Sequence, residues 1–396
     1  MTHYKKLIEY CSNLPLAKSY AFKVSKKSTY KQLKSHLDFN LLNRTSECFV
    51  RFYKDHISFN LHKSESTLYS HLAMSFNNYL SDFPDYGFAN IPLKSIEKKN
   101  IDEIINLIKK SYDFNYNKDE DNLIYFEMAK AFEIKNHDTL DAYLLEKIGY
   151  KRYADFFQKA GMNTVFLVEN IIRKAAKGES KLGGNPDLPL DFKWPHSEEK
   201  PLTFLGQINL SQIDRNKIKE DIPKSGFLYF FSAVAHVDYD TYEHFFNRIE
   251  LPETNKVYYF ESNNLKRQNN YYFSLKEIPV DFRYYHTYPL STEEPIFEQF
   301  DFDQEEKQEI INISRAYLEG IFHFLNLKDY RSIHTLFGYE QVVHDLTCFD
   351  KILFQTSTSE NTGMEWGDEG FFYFHIPEYD LKKLDFSNIH CDNQCG

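Results

Sequence analysis

The run Ser180-Lys181-Leu182-Gly183-Gly184-Asn185-Pro186-Asp187-Leu188-Pro189 decides the fold of the larger part of this chain, together with Trp194-Pro195 and Pro201-Leu202-Thr203-Phe204-Leu205-Gly206-Gln207-Ile208-Asn209-Leu210. Glycine and proline at this density punctuate turns. The apolar stretch Leu202–Ile208 then has the length of a strand. A second stretch of the same kind, Ile352–Thr356, lies far downstream. Each carries a glutamine near its end, Gln207 and Gln355, and each leads after 15 to 19 residues into a Gly-Phe-Leu/Phe-Tyr-Phe strand. The pattern predicts two related β units packed together, an internal duplication. Gly226 and Gly370 precede these strands at turns that call for positive φ. Alternation puts Phe227, Tyr229 and Phe231 on one face and Leu228 and Phe230 on the other, so both faces are expected to be covered.

Further motifs follow in order: Gly226-Phe227-Leu228-Tyr229-Phe230-Phe231, His334-x-x-x-Gly338-Tyr339, Leu353-Phe354-Gln355, Trp366-Gly367-Asp368-x-Gly370, and Asp380-Leu381 leading to Asp385-Phe386-Ser387. With the opening run, this ordered set resembles the YwqG-like family of bacterial proteins, a family with no established reaction, over about residues 180–396. The chain departs from the family at Gly206, where alanine often precedes the first glutamine, and Ser262–Asp281 is loosely matched.

Upstream, residues 1–120 read as a small α+β domain. Glu47–Tyr53 and His56–Leu61 form a predicted hairpin around Lys54-Asp55. Ser66–Leu80 is a helix candidate, and Asn100 caps a better one in which Ile101, Ile104, Ile105 and Ile108 recur at helical spacing, ending near Tyr112. The order of these elements resembles the YjbR-like domain, which implies helices packed on an antiparallel sheet. Asn115–Asn122 reads as a linker. Helix candidates at about 124–133, 138–148 and 163–177, the last stopped by Gly178, make residues 121–178 a helical connector. The expected class is α+β, with the sheet-rich domain over residues 179–396.

The whole chain has 396 residues, too many for one core to organise easily, and 17% are aromatic. Its 14 glycines and 13 prolines argue against a disordered or fibrous chain. A formal charge of −11 repels phosphates, so nucleic acid is not the expected partner. No secretory or membrane-spanning apolar run is found, which makes the cytosol the expected compartment and a membrane partner unexpected. The five cysteines lack the count of a disulfide scaffold. Cys391 and Cys395 have no second pair at zinc spacing, so no metal and no cofactor is expected.

Candidate chemistry is sparse. Gly183-Gly184 offers backbone N–H groups to an anion, but no P-loop or dinucleotide fingerprint follows, and a structural clamp is the competing reading. Gln207 and Gln355 either bind a polar ligand together or tie strand backbone. His334, His344, Asp345, Glu365, Asp368 and His375 form the densest acid/base set, without a known metal or nucleophile motif. Cys348 and His344 would share a helix face. The acidic stretch Glu293–Glu309 reads as a solvated helix start or as a docking face for a basic protein.

Two functional readings follow. The first is a non-enzymatic binding protein that masks a basic partner, such as an immunity-type antagonist of a toxin. The second is an enzyme or small-molecule receptor whose polar pocket lies between the β units and is lined by Gln207, His334, Gln355, Trp366 and Asp368.

Overall fold

The computed structural model describes residues 2–14, 17–22, 36–41, 48–53, 55–62, 72, 75–77, 86–117, 124–125, 128, 131–132, 137–197, 200–233, 253–261, 264–268, 275–325, 333–344, 346, 348, 350–367 and 370–395. The chain divides into two units, residues 1–136 with 315–326, and residues 137–314 with 327–396. Each is α+β.

In the first unit, a six-stranded antiparallel sheet is ordered β1-β2-β3-β4-β6-β5. Its strands are β1 (Ala17–Phe22), β2 (His36–Leu41), β3 (Cys48–Tyr53), β4 (His56–His62), β5 (Ser75–Asn77) and β6 (Tyr86–Pro92). β3 and β4 pair antiparallel, as the predicted hairpin requires, with Val50 opposite Phe59. The helix candidate over 66–80 is corrected at its end: Ser75–Asn77 pairs with Ala89 and its neighbours as an edge strand. Three residues of β-compatible sequence beside an available edge are decided by pairing, not propensity. A helix α1 (Thr2–Ser12) precedes the sheet, and α2 (Ile101–Asn117) packs on β3 and β4, five residues longer than its apolar period indicated. Ser111 donates to the Phe49 carbonyl at 2.6 Å, and the Phe49 and Tyr112 rings meet edge to face. Most of the predicted linker lies outside the described residues.

The second unit opens with two short helices, α3 (Ala142–Lys147), capped by the Asp141 carboxylate, and α4 (Ala154–Ala160). The third expected helix, over 163–177, is instead strand β7 (Met162–Glu169). Its apolar centre Val165-Phe166-Leu167 is buried on both faces, and such a continuous run looks alike in a buried strand and a buried helix. The connector is therefore not helical throughout.

Strands β8 (Lys181–Leu182), β9 (Asp187–Pro189), β10 (His196–Ser197), β11 (Lys200–Pro201), β12 (Thr203–Asn209), β13 (Phe227–Ser232), β14 (Asn255–Phe260), β15 (Leu265–Arg267) and β16 (Ile278–Thr287) follow. After helix α5 (Gln304–Leu325) come β17 (His334–Leu336), β18 (Lys351–Ser357), β19 (Phe371–Ile376), helix α6 (Glu378–Lys383) and β20 (His390–Gln394). Ten strands form one sheet in the order β14-β13-β12-β8-β16-β7-β17-β18-β19-β20, while β10/β11 and β9/β15 form separate pairs.

The order reads alike from both ends toward the central pair β16/β7. A bulge between Phe204 and Gly206 interrupts β12 against β13, and one between Ile352 and Phe354 interrupts β18 against β19. Gln207 then faces Tyr229, and Gln355 faces Tyr373. The sheet curls on itself: Phe230 of β13 touches Phe354 and Phe374 of β18 and β19, with ring centroids 4.5 and 5.3 Å apart. Each such phenylalanine contributes roughly 1.5–3 kcal/mol by leaving water. Leu228 and Phe230 face this inner core, while Phe227, Tyr229 and Phe231 pack outward under Phe192 and Trp194, so both faces of β13 are covered.

Gly226 has φ 94°, as its turn demands. Gly370 does not need positive φ. A Cβ there would lie 2.1 Å from the Gln394 carbonyl oxygen, so close backbone approach requires the glycine.

Candidate functional site

The opening motif builds a buried ionic nest at the start of the ten-stranded sheet. Lys181 and Asp187 are fully buried. Lys181 Nζ lies 2.7 Å from Glu277 and 3.7 Å from Asp187, and it donates to the Asn185 carbonyl. Arg267 from β15 holds the Asp187 carboxylate at 3.0 and 3.2 Å. Gln207 Oε1 accepts from the Asp187 N–H at 2.8 Å, its amide donates to the Glu179 carbonyl and to Asp187 Oδ2, and Tyr229 donates its hydroxyl to the Asp187 carbonyl. Burial lowers the Lys181 pKa against the pull of its carboxylates. It would raise that of Asp187, but Arg267, the Gly178 N–H and Lys181 hold Asp187 below its ordinary value. Every charge in the nest has a partner, as buried charges require.

Gly183 and Gly184 support this nest and present no anion cradle. Their N–H groups donate to the Leu205 and Leu275 carbonyls, and a Cβ on Gly183 would lie 2.3 Å from the Lys276 carbonyl oxygen.

At the matching place beyond the centre of the sheet, Gln355 Oε1 accepts from the Gln341 N–H at 2.8 Å, and Tyr373 donates to the Gln341 carbonyl. Thr335 stands where Lys181 does in the first nest, opposite the glutamine on the neighbouring strand. The second nest therefore repeats the glutamine-oxygen and tyrosine-hydroxyl bonds of the first, without its ions and without the bonds donated by the first glutamine's amide. Gln355 Nε2 and Thr335 Oγ1 have no partner among the described residues.

His334 is buried between β7 and β18. Its Nδ1 meets Thr356 Oγ1 at 2.7 Å and its Nε2 meets Glu169 at 3.2 Å, while Ser359 and Asn361 also donate to Glu169. Burial alone would raise the Glu169 carboxyl, but His334, Ser359 and Asn361 bring it down to about 2. This hydroxyl, imidazole and carboxylate are ordered as in a relay, yet His334 and Thr356 are fully buried, so no substrate atom reaches them.

The other candidates are dispersed. His375 is buried beside Glu340 at 3.7 Å, and burial lowers its pKa to about 4, which makes this a contact of a neutral imidazole. The His344 ring contacts the Cys395 carbonyl, whereas Cys348 accepts from the Asp350 N–H and burial raises its thiol, so the pair does not form an activated nucleophile. Trp366 stacks on Phe372 in the inner core, while Gln355 shares the outer side of the sheet with Tyr373. Asp368 and Asp345 lie outside the described residues. Among the described residues no group of three or more His, Cys, Asp or Glu is placed to hold a metal, and no helix is long and apolar enough to cross a membrane.

Among the described residues, a cleft and an acidic face are open. A cleft of about 330 Å³ lies between β14 and the segment before β20, lined by residues including Val257, Tyr258, Tyr259, Phe386 and Ile389, with Lys256 its one charged group. Elsewhere on the unit, Glu293, Glu298, Asp301, Asp303 and Glu305 are exposed, and none of them forms an ion pair among the described residues. Their backbone is pinned by aromatic rings: Phe297, Phe300 and Phe302 all pack on Phe156, with centroids 4.9 to 5.7 Å away.

Sequence reasoning missed Lys181, Asp187, Glu277, Arg267 and Glu169 as members of polar nests. Lys181 and Asp187 were visible inside the opening motif. Arg267 sits in a largely polar stretch that does not single it out, and Glu169 closes an apolar run; both are brought in by strand pairing.

The family model described as a domain of unknown function, DUF1963, matches residues 180–395, more than half of the chain. The chain belongs to that family. No curated protein matches it.

Proposed function

We propose that this DUF1963 member is a non-enzymatic binding protein that docks a basic protein partner, in the manner of an immunity-type antagonist of a toxin. The observation that carries the reading is the acidic face: five exposed carboxylates between Glu293 and Glu305, without ion pairs among the described residues, on a segment fixed by packing against Phe156. A fixed array of like charges steers an oppositely charged partner and excludes wrong ones. Two of the candidate acid/base groups, His334 and His375, are buried in contacts with the chain itself. The ordered motifs support placing the chain among the YwqG-like proteins of this family, and the matched nests support an internal duplication within residues 179–396. The cytosol and an independent α+β domain over residues 1–120 complete the proposal.

A second reading, a small-molecule receptor, is favoured by the cleft beside β14. Its aromatic walls and single cation suit a ligand with an apolar body and one acidic group. It offers binding without acid/base chemistry.

The test compares the tagged full-length chain with a Glu298→Lys/Asp301→Lys/Glu305→Lys variant as bait for proteins from its own cells, at low and raised salt. A basic protein retained only by the native chain and released by salt is expected, with the melting temperature of the variant unchanged. Equal retention by both baits sinks the acidic-face reading and leaves the cleft, which the substitutions do not touch.

A further inference from the structure

β7 ends at Glu169, and the chain turns through Asn170 to Lys174 with Ile171 66% exposed and Ile172 94% exposed. Single apolar residues on a surface are ordinary. Two adjacent isoleucines at the tip of a braced turn are not.

The bracing is dense. The Asn170 N–H donates to the Pro279 carbonyl at 2.8 Å and its side-chain amide to Asp281 at 2.9 Å, while its Oδ1 accepts from the Ile172 N–H. Arg173 bridges Asp281 and Glu179 at 3.1 and 2.6 Å. The Ala176 N–H donates to Glu179, and the Ala176 carbonyl accepts from Arg267. A convex apolar tip held in this way loses little freedom on docking, which is what a preorganised anchor requires.

The charges beside the tip set the partner. Asp281 and Glu179 compensate Arg173, whereas Lys174 and Lys177 are exposed and form no ion pair among the described residues. We propose that Ile171 and Ile172 insert into an apolar pocket of a second protein, whose rim carries carboxylates facing Lys174 and Lys177. This surface has the opposite sign to the acidic face and is independent of it. An anionic bilayer fits less well, because two lysines attract it weakly and a chain of net charge −11 is repelled.

The test places a photo-crosslinking residue at Ile172 in the full-length chain, in the cells it comes from, with Tyr379, also exposed, as a control position in the same unit. The expected result is one discrete adduct to a different protein from position 172 alone. Its crosslinked peptide should border an apolar pocket containing Asp or Glu, and the adduct should disappear with Lys174→Glu/Lys177→Glu. It should persist with Glu298→Lys/Asp301→Lys/Glu305→Lys, which separates it from the acidic-face reading. No adduct, an adduct that survives reversal of the lysines, an adduct to a second copy of the chain, or flotation of the purified chain with phosphatidylserine vesicles overturns the proposal.

Discussion

Gln207 and Gln355 perform the same task in the two halves of the ten-stranded sheet: each side-chain oxygen accepts from a backbone N–H, that of Asp187 or of Gln341, at 2.8 Å. A tyrosine opposite each glutamine, Tyr229 or Tyr373, then binds the carbonyl of that same residue. Two side chains in each half, a glutamine and a tyrosine, thus close both backbone groups of a residue that follows a turn.

Alanine at either glutamine leaves a buried N–H without its acceptor, which costs about 1–3 kcal/mol. Gln207→Ala is expected to cost more than Gln355→Ala, because the Gln207 amide also donates to Glu179 and Asp187. Urea denaturation of the two variants checks the order. Equal losses would show that the ionic nest does not depend on Gln207.

Gly338 and Gly363 both have positive φ, 85° and 80°. A Cβ on Gly338 would lie 2.0 Å from Thr164 Oγ1 and 2.6 Å from Thr287 Oγ1, whereas Gly363 has open space around it. Gly363→Ala should therefore cost only the conformational strain, about 1–2 kcal/mol. Gly338→Ala must also displace two buried threonines that bond each other, and a clearly lower melting temperature than for Gly363→Ala is the expected outcome.

Two carboxyls of the second unit act on stability with opposite sign. The Glu169 pKa is held at about 2, so its contribution is complete above its unfolded value of about 4.5 and is lost as pH falls toward 2. Burial pushes Glu294, beside Tyr339, up to about 7, so its contribution is present below about 4.5 and is lost as pH rises through 7. Glu294→Gln should stabilise the protein near pH 8 by on the order of 1–2 kcal/mol and have little effect near pH 4, while Glu169→Gln should destabilise it near pH 7 by on the order of 2–3 kcal/mol. Denaturation midpoints across this range decide. A pH-independent effect of Glu294→Gln would place that carboxyl in water.

Local pattern was enough for much of the second unit. Turn chemistry around Gly183-Gly184 and Pro186, the alternation from Phe227 to Phe231, and the recurrence of a glutamine before an aromatic strand are readable because turns and strand faces depend on neighbours in sequence. The family over residues 180–395 was readable from the ordered motifs for the same reason. Tertiary structure alone decided the rest. Val165-Phe166-Leu167 carries no period that separates strand from helix, and β7 exists because β16 and β17 pair with it on both sides. The candidate residues shared a list but not a place: alternation sends Gln355 to one side of the sheet, while Trp366 stacks in the inner core on the other. Burial then determined their chemistry, since an imidazole such as that of His334 acts on substrate only where substrate can reach it. The exposed tip at Ile171-Ile172 reads in sequence like the apolar end of a helix, and only the pairing that ends β7 at Glu169 turns it toward solvent.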